Sequence, residues 1–184
     1  MELWIALGVV ALFLVFMYNS LVAKSNQVKN AFAGIDVQLK KRYDLIPNLV
    51  STVKQYASHE KDLLEKITEL RTKAESSHSP KEKVELDNEI SGLIGKIMVA
   101  VENYPDLKAS ENFLHLQQSL NEVEEQLSAS RRSFNAAVLN LNNAVQMFPT
   151  NLMAGVMGLS TQTMFEIPES QRSTPNVANM FEQT

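Results

Sequence analysis

The chain begins with one uninterrupted run of apolar residues. No charged residue lies between Glu2 and Lys24, and of the 21 positions in residues 3–23 only two are clearly polar. As a helix this run extends about 31 Å, which is enough to cross a hydrocarbon core of about 30 Å. Aromatic rings stand near both of its ends, where they favour the membrane interface. The pattern predicts a transmembrane anchor over residues 1–23, with marker residues Leu3, Trp4, Tyr18 and Ala23.

Two other interpretations of this run compete with an anchor. A cleaved signal peptide needs a basic start and a small-residue cleavage site. Here no Lys or Arg precedes the run, and residues 18–23 make a poor cleavage site. A buried core helix is the third interpretation, although a helix that is apolar on every side also suits a bilayer. We therefore expect an uncleaved signal-anchor.

Basic residues flank the run on one side. Lys24 and Lys29 follow it closely, and Lys40, Lys41 and Arg42 come further along the chain. Because positive charge is enriched on the cytoplasmic side, this asymmetry predicts a single-pass protein of the bacterial inner membrane, with its N-terminus outside and its larger part in the cytoplasm. The alternative places the larger part in the periplasm.

Beyond the anchor, apolar residues recur every seven positions, as they do along one face of a long helix. The first pattern starts at Val28, and Arg42 occupies one position that the repeat would give to an apolar side chain. The strongest pattern covers residues 113–148. Both faces are typical of a packed helical core. The predicted core residues are Phe32, Ile35, Leu39, Ile46, Phe113, Leu120, Leu127, Phe134, Leu141 and Phe148.

Turn signals divide these patterns into helices. Pro47 predicts a kink or a new helix start, and Ser58 marks a further candidate break. Ser79 and Pro80 predict a helix start with a capping box, and that helix runs to about residue 103. A turn at residues 104–106 precedes the last long helix, residues 111–148, which Pro149 ends.

The predicted fold class is therefore all-α. The anchor is followed by an antiparallel bundle of three to four long helices over residues 24–148. An apolar C-terminal tail, residues 149–184, packs back on this bundle or into a partner, because its apolar side chains need cover. The sevenfold spacing also suits coiled-coil packing within or between chains.

Composition narrows the function. Gly and Pro together make 12 of 184 residues, which argues against an all-β fold, and the absence of Cys excludes a disulfide scaffold and a thiol nucleophile. A net charge of −4 gives no basic footprint for nucleic acid. The three His have no metal-ligand spacing, and no phosphate-binding or hydrolase motif occurs. We expect a protein that is not an enzyme and has no metal, cofactor or nucleic-acid partner.

The densest polar group lies in the first long helix and consists of Asp36, Gln38, Arg42, Asp44 and Asn48. An Arg at a core position must be paired, because its desolvation costs several kcal/mol. Its expected partners are Asp36, Asp44, or one of the neighbouring residues Glu124 and Glu125. The group either sets helix register or makes an inter-subunit or ligand contact. A second polar pair, seven residues apart, is interpreted in the same way; it consists of Asn135 and Asn142.

Several stretches of the chain resemble the LemA family. They read IDVQLKKRYDLIPNLV at 35–50, YASHE at 56–60, ENYPDLKASENF at 102–113 and RRSFNAAV at 131–138. The resemblance covers nearly the whole chain, in order. It implies a bacterial inner-membrane protein with one N-terminal helix, an α-helical bundle and no established enzymatic activity. It also implies a link to membrane organisation or quality control, because one relative belongs to the machinery that builds magnetosome membranes and family members are often encoded near a membrane zinc protease.

Two hypotheses for function follow. The first is a membrane-anchored helical scaffold that self-associates as a homo-oligomer, organises or remodels the bilayer, or recruits other membrane proteins such as a membrane protease. The second is a ligand- or signal-sensing bundle, which would hold a polar cavity between its helices near Arg42.

Overall fold

The computed structural model describes residues 1–57, 59–77 and 79–165. Within these ranges the chain is helical and contains no strand, so the all-α prediction is confirmed. The helices are α1 Glu2–Lys54, α2 Lys61–Ser76, α3 Pro80–Val101, α4 Pro105–Lys108, α5 Glu111–Gln146 and α6 Thr150–Val156.

The longest element is α1, which contains 53 residues and runs through Pro47. At 1.5 Å per residue it is about 80 Å long. Its residues 2–16 are all exposed, and it is long and apolar enough at this end to cross a membrane. The predicted boundary between residues 23 and 24 therefore lies inside one continuous helix.

α1 does not end at Pro47, so the candidate helix start there is wrong, and Ser58, the other candidate break in this stretch, lies outside the described residues. α1 ends at Lys54 and α2 begins at Lys61. At the start of α3 the Ser79 hydroxyl accepts a hydrogen bond from the Glu82 backbone N–H at 3.4 Å. The reciprocal half of the capping box passes through Ser77, whose hydroxyl accepts from the Ser79 N–H at 3.3 Å and donates to the Glu82 carboxylate at 2.6 Å.

Four helices, α1, α2, α3 and α5, share one apolar core. α1 and α5 run antiparallel, as Arg42 meets Glu124 and Phe32 meets Phe134, with the two rings 6.0 Å apart and edge to face. Phe32 is half-buried against this core. Eight other residues of the predicted core are buried; they are Ile35, Leu39, Ile46, Phe113, Leu120, Leu127, Phe134 and Leu141.

Phe148 differs from the prediction that placed it in the core. Its side chain is 79% exposed. α5 ends at Gln146, two residues earlier, so Phe148 no longer follows the sevenfold face of that helix. Periodicity extended the core past the point where the helix stops.

The tail folds back as far as the structure describes it. α6 packs against α1 at the level of Leu21 and against the C-terminal end of α5, where Leu21, Ala144 and Ala154 form a second buried cluster. The two alanines allow the three helices to approach closely, and the contact covers part of the apolar tail. The rest of the predicted tail, residues 166–184, lies outside the described residues.

Candidate functional site

Arg42 is buried in the core, at 5% exposure. Its Nη1 donates to both carboxylate oxygens of Asp87, at 3.1 and 3.3 Å, and to the Ser91 hydroxyl at 2.8 Å. Asp87 is itself fully buried on the inner face of α3. The charge of Arg42 is thus neutralised by Asp87, which lies on a helix that is close in space but distant in sequence.

Two residues of α5 complete the network. Arg131 donates through Nη2 to Asp87 at 2.7 Å, and the Glu124 carboxylate lies 2.7 Å from Arg42 Nη2. The second contact is an ion pair by distance, but its angles do not satisfy hydrogen-bond geometry. Two guanidinium groups therefore meet two carboxylates, and this ionic network, Arg42, Asp87, Glu124 and Arg131, carries no net charge. It ties α1, α3 and α5 together.

Burial dominates the electrostatics around Asp87. It raises the pKa of the Asp87 carboxyl above its ordinary value, while Arg42 and Arg131 oppose that rise. Burial likewise raises the pKa of the neighbouring Tyr43 phenol, and the charge of Asp87 adds to the rise. The Tyr43 hydroxyl has no hydrogen-bond partner among the described residues.

A cleft of about 290 Å³ opens beside the network. Arg42, Arg131 and Glu124 line it together with uncharged polar side chains. The buried Nε of Arg131 has no hydrogen-bond partner among the described residues, and the Glu124 side chain is half exposed. The cleft can therefore offer both donors and acceptors to a small polar molecule. Its uncharged polar lining residues are Asn88, Ser91, Gln117 and Asn121.

The other polar residues of α1 do not join this network. Asp36 pairs with Lys83 of α3 at 2.5 Å, and Asp44 pairs with Lys40, one turn earlier, at 2.5 Å. Asn48 is exposed. Of the partners predicted for Arg42, the structure brings Glu124 to it and not Asp36, Asp44 or Glu125.

Asn135 and Asn142 hold the tail rather than another helix. The side-chain amide of Asn135 donates to the Phe165 carbonyl at 3.0 Å and accepts from its N–H at 2.8 Å. Asn142 makes the same pair of bonds with Gln162, each at 2.8 Å. The spacing matches, because seven residues of helix and three residues of extended chain both extend about 10 Å.

Sequence reasoning missed Asp87, although the sequence carried a signal for it. Asp87 precedes Ile90 by three residues and so continues the apolar face that Ile90, Ile94 and Ile97 define on α3. A carboxylate on one apolar face and Arg42 on another are complementary charges. The rule that singled out Arg42 applies equally to Asp87.

The matches to known proteins agree with this architecture. A sequence model described as the LemA family matches residues 31–178. The chain belongs to the LemA family. The matched segment covers the ionic network, both tail-binding asparagines and α6, and the predicted resemblance is confirmed.

Named relatives cover most of this LemA-family chain. Protein LemA of Metamycoplasma hominis is 28% identical over 155 residues, which is 84% of this chain and 71% of the relative. Magnetosome protein MamQ 2 of Paramagnetospirillum magneticum is 22% identical over 179 residues, covering 83% of this chain and 66% of its own length. Magnetosome protein MamQ of Magnetospirillum gryphiswaldense is 20% identical over 195 residues, covering 89% and 72%.

Together these observations describe a membrane-associated helical protein. The apolar start of α1 supplies one candidate span in the part of the chain described. Neither the family description nor the names of the relatives state an enzymatic activity. Within the described ranges, no group of three or more His, Asp or Glu is arranged to hold a metal ion.

Proposed function

We propose that this LemA-family protein is a helical scaffold that self-associates on the inner membrane and thereby organises or remodels the bilayer. In this proposal the N-terminus lies outside and the four-helix core lies in the cytoplasm. The relatives named magnetosome proteins support a role in membrane organisation.

The observation that carries the proposal is the continuity of α1. The same 53-residue helix forms the anchor and one wall of the core, and no linker separates them. Rotation and tilt of the core are therefore coupled to the anchor. Copies that associate through the core would hold their anchors in a fixed arrangement, which is the requirement for shaping a membrane.

The contact between copies is proposed to lie on the outer face of α1. Val37, Lys41, Asp44 and Asn48 follow one another at three- and four-residue steps and are all exposed. Asp36, Arg42, Asn135 and Asn142 are engaged with other helices or with the tail. The inter-subunit role predicted for the polar residues therefore falls to two exposed residues, Asp44, which among the described residues pairs only within its own helix, and Asn48. An apolar residue among polar ones fits an interface between copies that is formed after folding.

The test measures the mass of the full-length protein in mild detergent by light scattering, with particle shape by electron microscopy. The decisive variant is Asp44→Lys. The matched control is Glu69→Lys on α2, because the exposed pair Lys73–Glu69 has the same four-residue spacing and a similar distance, 2.6 Å against 2.5 Å.

We expect a large, uniform particle that dissociates with Asp44→Lys and persists with Glu69→Lys, while both variants melt at the same temperature. A wild-type monomer would overturn self-association. A loss of mass that follows unfolding in both variants would overturn the assignment of this face.

The cleft beside Arg42 favours a second candidate, a ligand- or signal-sensing module. Its polar lining and its volume of about 290 Å³ suit a small polar metabolite. A thermal-shift screen of the full-length protein against a metabolite library tests it. A ligand that stabilises the wild type but not the cleft variant Asn121→Leu would support sensing, and the absence of any hit would favour the scaffold.

A further inference from the structure

The turn from α5 into α6 presents bare apolar side chains to its surroundings. We call residues 146–157 the α5–α6 corner. Four of its large apolar side chains are exposed, Val156 by 85% and Phe148 by 79%. This corner covers Leu21 of α1 with Ala154, and Met153 and Met157 pack against the same cluster. The exposed members of the corner are Met147, Phe148, Leu152 and Val156.

The antiparallel register of α1 and α5 sets the height of this corner. Opposed residues, such as Phe32 with Phe134 and Arg42 with Glu124, have numbers that add to 166. The contact of Leu21 with Ala144 continues the same register within one residue. Phe148 is therefore level with Tyr18, about six residues or 9 Å on the membrane side of Lys24.

The thickness of the bilayer places its hydrocarbon core at the level of Tyr18 and Phe148. The fully exposed part of the anchor ends at Phe16, because Met17 is buried. From Leu3 to Phe16 a helix covers about 21 Å, whereas a hydrocarbon core is about 30 Å thick. The remaining part of the hydrocarbon core, about 9 Å, therefore extends to the levels of Tyr18 and Leu21. At these levels the corner packs on one side of α1, so its own outer side chains face the lipid.

The charge pattern points to the same occupant. Residues 133–165 contain no Asp, Glu, Lys, Arg or His over 33 consecutive positions. The charges of α1 near this level are Lys24 and Lys29, both positive and just above the corner, where they can meet lipid phosphates. A corner facing water would have no reason to exclude charge.

We propose that the α5–α6 corner inserts into the bilayer beside the anchor, in the leaflet on the side of the helical core. Its exposed apolar residues then contact acyl chains near the headgroups, at the depth usual for interfacial helices. Insertion on one side of α1 fixes the tilt and rotation of the core. Insertion also adds area to one leaflet only, and this would affect membrane shape. That consequence for membrane shape rests on the proposed function, whereas the insertion itself requires only that α1 spans the membrane.

The experiment uses the absence of native Cys. Single substitutions Phe148→Cys and Leu152→Cys carry an environment-sensitive NBD fluorophore on the full-length protein. The positive control is Leu14→Cys in the anchor. The matched negative control is Val99→Cys, an equally exposed apolar position on α3. Each is placed in nanodiscs that hold one copy, with and without lipids spin-labelled on the acyl chain.

We expect the spin-labelled lipids to quench NBD at positions 148, 152 and 14, and to leave position 99 unquenched. Quenching with one copy per disc separates lipid contact from self-association, so this result stands whether or not the scaffold assembles. Water-like emission at 148 and 152, equal to that at 99, would overturn the insertion. The same variants are also placed in vesicles that hold several copies. If NBD at positions 148 and 152 shows apolar emission only in these vesicles, and spin-labelled lipids do not quench it, the corner contacts a second copy instead.

Discussion

At the scale of single residues, Arg42 and Asp87 decide which helices meet. Each occupies an apolar face where a charge alone would be costly, and each becomes tolerable because the other is present. Arg131 and Glu124 balance the remaining charge. The network therefore specifies one packing of α1, α3 and α5, in which both guanidinium groups reach the shared carboxylate.

The first prediction concerns that carboxylate. Asp87→Ala leaves two guanidinium groups without their common acceptor, and we expect it to lower the free energy of unfolding by about 3–5 kcal/mol. Glu69→Ala removes one partner of an exposed ion pair and should cost at most about 1 kcal/mol. Urea denaturation followed by circular dichroism compares the two. Equal losses would show that Asp87 is no more important than a surface charge.

The second prediction concerns Tyr43, whose buried hydroxyl has no partner among the described residues. Tyr43→Phe should raise the free energy of unfolding by about 1 kcal/mol at neutral pH, because an unsatisfied polar group is removed. The exposed Tyr56→Phe should change it by less than about 0.5 kcal/mol. A loss of stability in Tyr43→Phe would show that the hydroxyl has a partner.

The pH dependence of the same residue follows from its raised pKa. Above the ordinary pKa of 10.0 the unfolded chain loses the Tyr43 proton while the folded chain keeps it, so stability falls as the pH rises through that value. The loss approaches about 1.4 kcal/mol per pH unit for this one proton. Urea titrations at pH values from about 8 to about 11 bracket the ordinary Tyr pKa. Over this range the free energy of unfolding should fall less in Tyr43→Phe than in the wild type.

At the scale of elements, α5 serves two partners on different faces. One face belongs to the common core, and the other presents Asn135 and Asn142 to the extended tail. The ring of Phe165 then packs edge to face on Phe134, with centroids 5.0 Å apart. The tail is held at its backbone by amides and at its side chain by an aromatic contact.

The third prediction tests this attachment. Asn142→Ala removes both hydrogen bonds to Gln162 and should weaken the local attachment by about 1–2 kcal/mol. Amide hydrogen exchange at Gln162 should accelerate about tenfold, because 1.4 kcal/mol corresponds to a factor of ten. Asn140→Ala, at an exposed position on the same helix, is the control. Unchanged exchange at Gln162 would mean that Phe165 alone secures the tail.

At the scale of the whole molecule, α1 is one continuous helix that contains the anchor and also forms one wall of the core. Lys54 lies 31 residues beyond Ala23, so the far end of α1 stands about 46 Å above the anchor along its axis. Arg42 and the cleft lie along this helix. The helix couples any contact made at the far end to the orientation of the anchor.

The fourth prediction concerns the side of the membrane on which the helical core lies. Val99→Cys gives one exposed thiol on α3 in a chain without native Cys. With the core in the cytoplasm, a membrane-impermeant maleimide should label it after lysis and not in intact spheroplasts. Labelling of intact spheroplasts would place the core in the periplasm.

The sequence by itself determined the long helices and their apolar faces, because periodicity, capping and turn residues act over a few neighbouring positions. It also indicated the anchor and the burial of Arg42, but it did not predict the short helices α4 and α6. Tertiary structure decided the rest. Asp87 became the partner of Arg42 through packing of residues 45 positions apart, and Asn135 and Asn142 took the tail backbone as their partner. The exposure of Phe148 likewise depended on where α5 stops. Which apolar faces meet is decided in space, and a local pattern identifies a charge on such a face without specifying the residue that it will contact.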